Sequence, residues 1–437
     1  MSHPLNDKKT INAWAFYDWA NSVFPLVITA AIFPPFYESM TERISGSDLV
    51  EFLGFPIKNT VLYSYAFSFS FLLIAFLSPF LSGIADYKGN KKSFMRFFVI
   101  VGAISCMLLF FFDGSNLLLG LAAIIAGNIG FNGSLVFYNA YLPEIATLDQ
   151  RDRVSAKGFS IGYIGGFVLL VINLLIILNA KKLGFKNDIL PYQFSFLSVG
   201  IWWILFSQYS FMHLPKRTRN MPLQADILLK GFKELRKVFF FIISNKHIRP
   251  FLIAFFLYSM GVQTVLYMAS LYGAKVVNVS TENLIISILL IQLVATAGAQ
   301  LFAFLSSLIG NIRSLMISLF IWILVCIIAF MITTTAGFYL VASLVGLVMG
   351  GIQSLSRSTY AKMIPENHID TASFFSFYEF TEKLAIVLGI ASYGFVEALS
   401  GNMRNSALLL SVFFFSGMIG LFFVKIDHTY KTKKVAL

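Results

Sequence analysis

Twelve long apolar runs divide this chain, and only four acidic or basic side chains lie well inside any of them: Asp18, Glu379, Glu382 and Lys383, with Arg357 nearer the end of its run. A hydrocarbon core about 30 Å thick takes about 20 apolar helical residues to cross. The runs fall at 13–36, 60–83, 94–112, 116–142, 156–179, 191–212, 250–272, 284–306, 314–334, 337–362, 372–398 and 405–425. Each is far longer than the roughly 9–11 residues of a membrane strand, so an all-α integral membrane fold with twelve transmembrane helices is expected. Only 12% of the 437 residues are charged, about half the share usual in soluble domains. A charge at mid-bilayer costs about 2.5–3.5 kcal/mol even on the lenient insertion scale. The few charges inside the runs are therefore the first candidates for function.

The first run starts at Ala13 and leads straight into further spans, so it reads as a retained helix rather than a cleaved leader. Cys106 and Cys326 lie inside runs, with no CxxC spacing and no histidine cluster. They read as buried thiols, and neither a metal nor a cofactor is expected. Of the 33 Lys and Arg, 25 fall on the side that holds both termini and seven on the other. That asymmetry places both termini in the cytoplasm. The net charge of +12 then reflects topology and contact with anionic membrane lipids, not nucleic acid.

The longest hydrophilic stretch, His213 to Arg249, splits the chain into a six-helix unit at 1–212, a cytoplasmic linker at 213–249 and a second six-helix unit at 250–437. Within the linker, 225–244 is amphipathic. Leu228, Leu229, Phe232, Leu235 and Phe239 share one face, and Lys230, Lys233, Glu234 and Lys237 lie mostly opposite. This predicts a helix lying on the membrane surface. The halves echo each other. Tyr138 to Pro143-Glu144 ends one span, and Tyr360 to Pro365-Glu366 ends another 222 positions later. Asp86-Tyr-Lys-Gly89-Asn90-Lys91-Lys92 and Ser307-Leu-Ile-Gly310-Asn311-Ile-Arg313 follow matching spans at an offset of 221. Two nearly equal offsets argue for a duplicated unit, as in many secondary transporters.

Polar side chains fall into stripes at helical spacing. One holds Asp18, Asn21, Ser22, Pro25 and Thr29. A second holds Asn128, Asn132 and Asn139. Ser259, Gln263 and Ser270 form a third, and Gly346, Gly350, Gln353 and Arg357 a fourth. Four such faces suggest one polar cavity, although any single amide also reads as helix–helix hydrogen bonding. Glu379, Glu382 and Lys383 share a helix face. Glu379 can pair with Lys383, which leaves Glu382 over. Proton coupling, recognition of a charged substrate and a plain structural ion pair all remain open for this set. Asp18 reads as a proton site, a counter-ion to a substrate amine or a partner of Arg357. Arg357 could instead clamp a carboxylate. Pro25 and Pro34-Pro35 are expected to kink or end the first helix. Gly158, Gly162, Gly165 and Gly166 line one face and allow close packing or a sliding contact. No phosphate-binding loop and no Ser/His/Asp or Cys/His set is present, so neither ATP-driven transport by this chain alone nor enzyme catalysis is expected.

The six-plus-six layout and the Asp86–Lys92 loop resemble the major facilitator superfamily, whose signature loop reads Gly-x-x-x-Asp-Arg-x-Gly-Arg-Arg. Ser82 stands where the first Gly is usual, Tyr87 replaces a basic residue, Asn90 replaces Arg, and the second copy has Ser307 in place of the acid. Asp86, Gly89, Lys91 and Lys92 are the gating residues this resemblance implies, with Asp86 meeting the positive end of a neighbouring helix. Phe16-Tyr17-Asp18-Trp19-Ala20-Asn21-Ser22, Phe137-Tyr138-Asn139, Gly162-Tyr163-Ile164-Gly165-Gly166, Gly261-Val262-Gln263-Thr264 and Gly350-Gly351-Ile352-Gln353-Ser354-Leu355-Ser356-Arg357 are similar to the "unknown major facilitator" family. That family includes the fungal vacuolar amino-acid effluxer linked to autophagy. The acid it often carries near Tyr258-Ser259-Met260-Gly261 is missing here. The resemblance implies transport without a defined substrate. The leading expectation is a monomeric secondary transporter moving a small polar solute by alternating access; the amide-rich stripes with one acid and one arginine suit a zwitterion such as an amino acid, and the buried acids make the proton the candidate coupling ion. The competing expectation is a receptor or lipid-handling scaffold of the same fold that does not transport. The excess of Lys over Arg, with plentiful Ile, Phe and Asn, suggests an AT-rich genome and so a bacterial inner membrane.

Overall fold

The computed structural model describes residues 4–216, 227–365 and 370–424. Among these residues, twelve helices are long and apolar enough to cross a membrane. They are α1 (Lys8–Ser45), α2 (Asn59–Lys88), α3 (Lys91–Phe111), α4 (Leu117–Ile145), α5 (Arg151–Leu178) and α6 (Leu190–His213), then α8 (Ile248–Val276), α9 (Thr281–Ile309), α10 (Asn311–Met331), α11 (Thr335–Met363), α12 (Thr371–Ser400) and α13 (Met403–Phe422). The linker helix α7 (Ile227–Ser244) stands between the two sets.

Helix starts follow local chemistry. Asp7 caps α1 by accepting from Thr10 N at 2.8 Å, and Ser280, Thr334 and Asn402 cap α9, α11 and α13 through their side-chain oxygens. Gly89 ends α2 at φ +66°, a left-handed conformation that favours glycine. The prolines of α1 act in two ways. From Phe24 to Ile32 the helix widens to π geometry, starting around Pro25, and Thr29 Oγ1 donates to the Pro25 carbonyl at 2.7 Å. Pro34 and Pro35 do not stop the rod, which continues to Ser45. They sit in the first turn of a new α-helical stretch, where a missing N–H costs little. A small hairpin, β1 (Leu49–Phe52) and β2 (Phe55–Lys58), joins α1 to α2. Its two turn residues, Leu53 and Gly54, both have positive φ.

Each set of six helices packs mainly within itself, and the two sets meet along α2 with α12 and along α5 with α9, with further contact of α5 with α11 and α4 with α12. The linker helix packs on α2 and reaches α12. Its buried stripe is Gly231, Val238 and Ile242, whereas Phe232 and Phe239 of the expected apolar face are half exposed. The reason is steric: a Cβ on Gly83 would stand 2.4 Å from the Gly231 carbonyl oxygen, so only two glycines allow this backbone approach. The Phe239 ring lies 5.7 Å from Phe377 of α12. The side chains of Leu228, Leu229 and Lys230 lie outside the described set.

Glycine also sets the spacing within the second half. A Cβ on Gly298 of α9 would fall 2.1 Å from Leu347 O, and one on Gly350 of α11 2.1 Å from Ala295 O. Overpacking of this kind typically costs about 1–3 kcal/mol. Gly298→Ala and Gly350→Ala should each lower the thermal midpoint of the detergent-solubilised protein. Gly394→Ala, with nothing within 4 Å of the new methyl, should leave it unchanged.

Candidate functional site

The seam between the halves is where the buried charges meet. From Lys8 to Asp18 is roughly 15 Å along the α1 axis, so Asp18 stands deep in the bundle, only 5% exposed. It faces the glycine face of α5. A Cβ on Gly158 would lie 2.5 Å from Asp18 Oδ2 and 3.1 Å from Arg357 Nη2, so this glycine makes room for an ion pair between α1 and α11. Gly162 and Gly165 press on Ser22, Asp18 and the Trp19 backbone. The glycine stripe therefore packs α5 onto α1 within one half, and at Gly158 it also abuts Arg357 of the other half.

Arg357 spends its donors locally. Nη1 and Nη2 each lie 3.4 Å from Asp18 Oδ2, which also accepts from the Tyr138 hydroxyl at 2.7 Å. Nε donates to Ser155 Oγ and Nη2 to Ser155 O, both at 2.9 Å. Nη1 reaches Asn139 Oδ1 at 3.3 Å. The guanidinium carbon lies 4.1 Å from the Phe159 ring centre and 4.8 Å from that of Trp14. Stacking and fork-shaped donation together suit arginine and not lysine. In this arrangement Arg357 is held by the protein, and a solute carboxylate would have to displace one of these acceptors.

Asn139 carries the network across to α12. Its Nδ2 donates to Glu379 Oε1 at 2.8 Å. Lys383 Nζ lies 3.0 Å from Glu379 Oε2 and 2.8 Å from Glu382 Oε2. Gln263 Nε2 of α8 donates to Glu382 Oε1 at 2.9 Å. Glu382 is thus not left over, as the helical spacing alone suggested; one ammonium holds both carboxylates. The unbroken line runs Asp18, Arg357, Asn139, Glu379, Lys383, Glu382, Gln263. It holds three carboxylates and two cations, so its formal charge with every group ionised is −1 (−3 + 2).

Other sequence candidates fall elsewhere. Asn132 donates to Asn128 Oδ1 at 2.8 Å and Asn128 to Ser70 Oγ at 2.6 Å, a set that ties α4 to α2 inside the first half. Asn21 is buried but makes none of the bonds of the line. Gln353 accepts from Tyr163 at 2.6 Å, a separate bridge between α11 and α5. Tyr138 and Ser155 belong to the site and were not singled out from sequence. Tyr138 lies in the Phe137-Tyr138-Asn139 motif; Ser155 carries no signal in the sequence, because its position at the helix crossing decides its role.

A second cluster closes the end of the bundle that carries Asp7. Asp86 and Lys91 prove to be in the last turn of α2 and the first turn of α3, buried, with only Gly89 and Asn90 between the helices. Asp86 accepts from Ser373 N at 2.7 Å and Ala372 N at 3.3 Å, the open donors at the start of α12. Lys91 lies 3.4 Å from Asp86 Oδ1 and also contacts Glu144 and Thr371. Thr371 in turn donates to Glu144 at 2.9 Å. Lys92 donates to Leu214 O at 2.9 Å, within its own half.

Two bundles of six spanning helices meeting over buried ion pairs describe a membrane transporter of the major facilitator fold. The chain superposes with a TM-score of 0.71 on the human organic anion transporter MFSD10, at 14% identity, covering 96% of this chain and 100% of that one. For the transporter FucP in its outward conformation the TM-score is 0.70 at 13% identity, covering 96% and 99%. It matches the family described as "Vacuole effluxer Atg22 like" over residues 6–434, and it belongs to that family. It is 32% identical to the uncharacterized MFS-type transporter YxiO of Bacillus subtilis (strain 168), across 95% of each chain. It is 25% identical to autophagy-related protein 22 of Yarrowia lipolytica, across 86% of this chain and 77% of the relative. YxiO, MFSD10 and FucP are each described as transporters, and this chain is accordingly a membrane transporter and not an enzyme.

Removing one partner of a buried ion pair leaves the other charge uncompensated, at about 3–5 kcal/mol. Arg357→Met should destabilise the protein by that order, read as a fall in unfolding midpoint in detergent. Asp18→Asn combined with Arg357→Met should cost clearly less than the sum of the single changes. Strict additivity would mean the two side chains do not interact.

Proposed function

We propose that this chain is a secondary active transporter that carries a small polar solute, an amino acid being the best-matched class, by alternating access coupled to protons. The observation that carries this reading is the line of hydrogen bonds and ion pairs from Asp18 to Gln263. It runs through both halves, so rocking of one half against the other must break or remake it. Its charge imbalance supports proton coupling. A fully ionised line would bury a net negative charge, and a bound proton is the simplest way to cancel it. A zwitterion offers one cation and one anion, and could exchange with Arg357 for Asp18 or with Lys383 for a glutamate. The Glu379–Glu382 pair is the better proton carrier of the two acidic sites, because two acids share one ammonium there while Asp18 has a guanidinium of its own.

The same reading puts both termini and the 213–249 linker on the cytoplasmic side, on the strength of the Lys and Arg asymmetry, and takes the membrane as a bacterial inner membrane from the Lys-, Ile-, Phe- and Asn-rich composition. The closed end would then be the cytoplasmic one. The protein would act as a monomer among anionic lipids.

The test is solute counterflow beside pH-driven accumulation in proteoliposomes, with a mixed pool of amino acids as first probe. Glu379→Gln or Glu382→Gln should abolish accumulation against a gradient and spare exchange, which needs no net proton movement. Asp18→Asn should weaken both. If all three variants keep full pH-driven accumulation, these acids do not couple transport to protons.

A further inference from the structure

At the closed end, the first turn of α5 reaches into the other half at a place no gating motif marks. Asp152 Oδ1 accepts from Asn311 Nδ2 at 2.7 Å. Its Oδ2 accepts from Ser306 Oγ at 2.9 Å and from Lys362 Nζ at 2.5 Å. Lys362 also donates to Asn311 Oδ1 at 2.9 Å, and Asn311 Nδ2 to Thr359 Oγ1 at 3.0 Å. Asp152, Ser306 and Asn311 are all less than 9% exposed. The preceding residue, Arg151, also crosses: its Nη1 donates to Ala361 O at 2.7 Å, while Nε and Nη2 hold the carbonyls of Ala146 and Pro143.

Set beside the Asp86 cluster, this arrangement explains an oddity of the sequence. The loop after α9 is the second copy of the loop after α2, and it has Ser307 where the first copy has Asp86. Ser307 is exposed, and among the described residues its hydroxyl bonds to Phe304 O of its own helix. The carboxylate that this loop lacks arrives from the opposite half. In the first contact, the loop brings the acid and the start of α12 brings bare N–H groups. In the second, the start of α5 brings the acid and the loop brings Asn311 and Ser306, backed by Lys362. Both carboxylates, and Glu144 as well, belong to the first half; each accepts from donors of the second half, with Lys91 of the first half beside Asp86 and Glu144.

We propose that Asp152 is a positioning residue of the transport cycle: with Lys362, Asn311 and Ser306 it forms a second latch that holds the α5–α9 side of this end closed, in place of the acid absent from the α9–α10 loop. The latch joins α5 to α9, α10 and α11, a different set of helices from the α2–α12 contact that Asp86 makes, so the two hold the halves at separate points. Charge-assisted bonds of this kind are short and strong when buried, and they are released as a unit when the halves part. The inference rests on alternating access, so its test reads the seam directly and not through transport.

Ala303 of α9 packs against Ala156 and Phe159 of α5, just inside the latch. Ala303→Cys therefore reports the seam. Native Cys106 and Cys326, each buried within its own half, report general loosening. The rate of maleimide labelling at each of the three cysteines is followed by mass spectrometry on the full chain in detergent. Asp152→Asn or Lys362→Gln should speed labelling at position 303 about tenfold, equivalent to about 1.4 kcal/mol in the closed-to-open balance, with Cys106 and Cys326 unchanged. Asp152→Glu should have a smaller effect, and Ser307→Ala none. Unchanged labelling at position 303 in Asp152→Asn would overturn the latch. So would a parallel rise at all three cysteines, which would make Asp152 a residue of general stability. Counterflow on the same samples keeps the two readings apart, since a latch without transport would fail only the second.

Discussion

A charge moved into hydrocarbon must find its counter-charge inside the protein, and here it finds it across the seam between two halves. The Asp18–Arg357 contact is the clearest case, with side chains 7% and 3% exposed. Neither partner can be satisfied by its own helix. Around the pair the protein has removed every obstacle: a glycine at 158, a serine at 155 that gives both its hydroxyl and its carbonyl, and aromatic faces from Trp14, Tyr138 and Phe159. Breaking the pair without a substitute would strand two ions at once. A solute or a proton that relieves that cost therefore acts directly on the relative position of the halves. Differential affinity for two states is the only means by which a ligand can shift them.

The contacts at the closed end differ in kind from those at depth. Asp86 uses the uncommitted N–H groups at a helix start, where the peptide dipoles favour an anion. The deep line uses side-chain ions linked by an amide, Asn139, whose two ends donate and accept. A primary amide can pass such a link between an arginine and a carboxylate without carrying charge itself. The linker helix adds a third element at the α2–α12 seam. It is held by the Gly83–Gly231 approach and by the Phe239–Phe377 contact, so it spans the same two helices that Asp86 joins.

Much of this was legible beforehand. Run length and the scarcity of charge were enough for twelve spanning helices, because no other backbone arrangement of such segments satisfies its polar groups in lipid. The i, i+4 spacing put Glu379 beside Lys383, and the wish of any buried charge for a partner made Asp18 with Arg357 one of the readings. Asp86 at a helix start followed from dipole physics and a motif. The amide stripe of α4 was misleading in part. Its upper members Asn128 and Asn132 bond to each other and to Ser70, while only Asn139 enters the ion line. Periodicity reports which residues share a face, not which neighbour that face meets.

What the sequence by itself determined was the class of solvent, the number of crossings and the short set of side chains that lipid would not tolerate unpaired. These depend on local composition and on helical periodicity, which are properties of segments. Only the tertiary structure decided the partners. That Gln263 holds Glu382, that Gly158 makes room for an ion pair, and that Asp152 supplies the carboxylate the α9–α10 loop lacks all depend on contacts between residues up to 339 positions apart. Such contacts are set by how helices cross, and a crossing leaves no trace in the spacing of either helix alone.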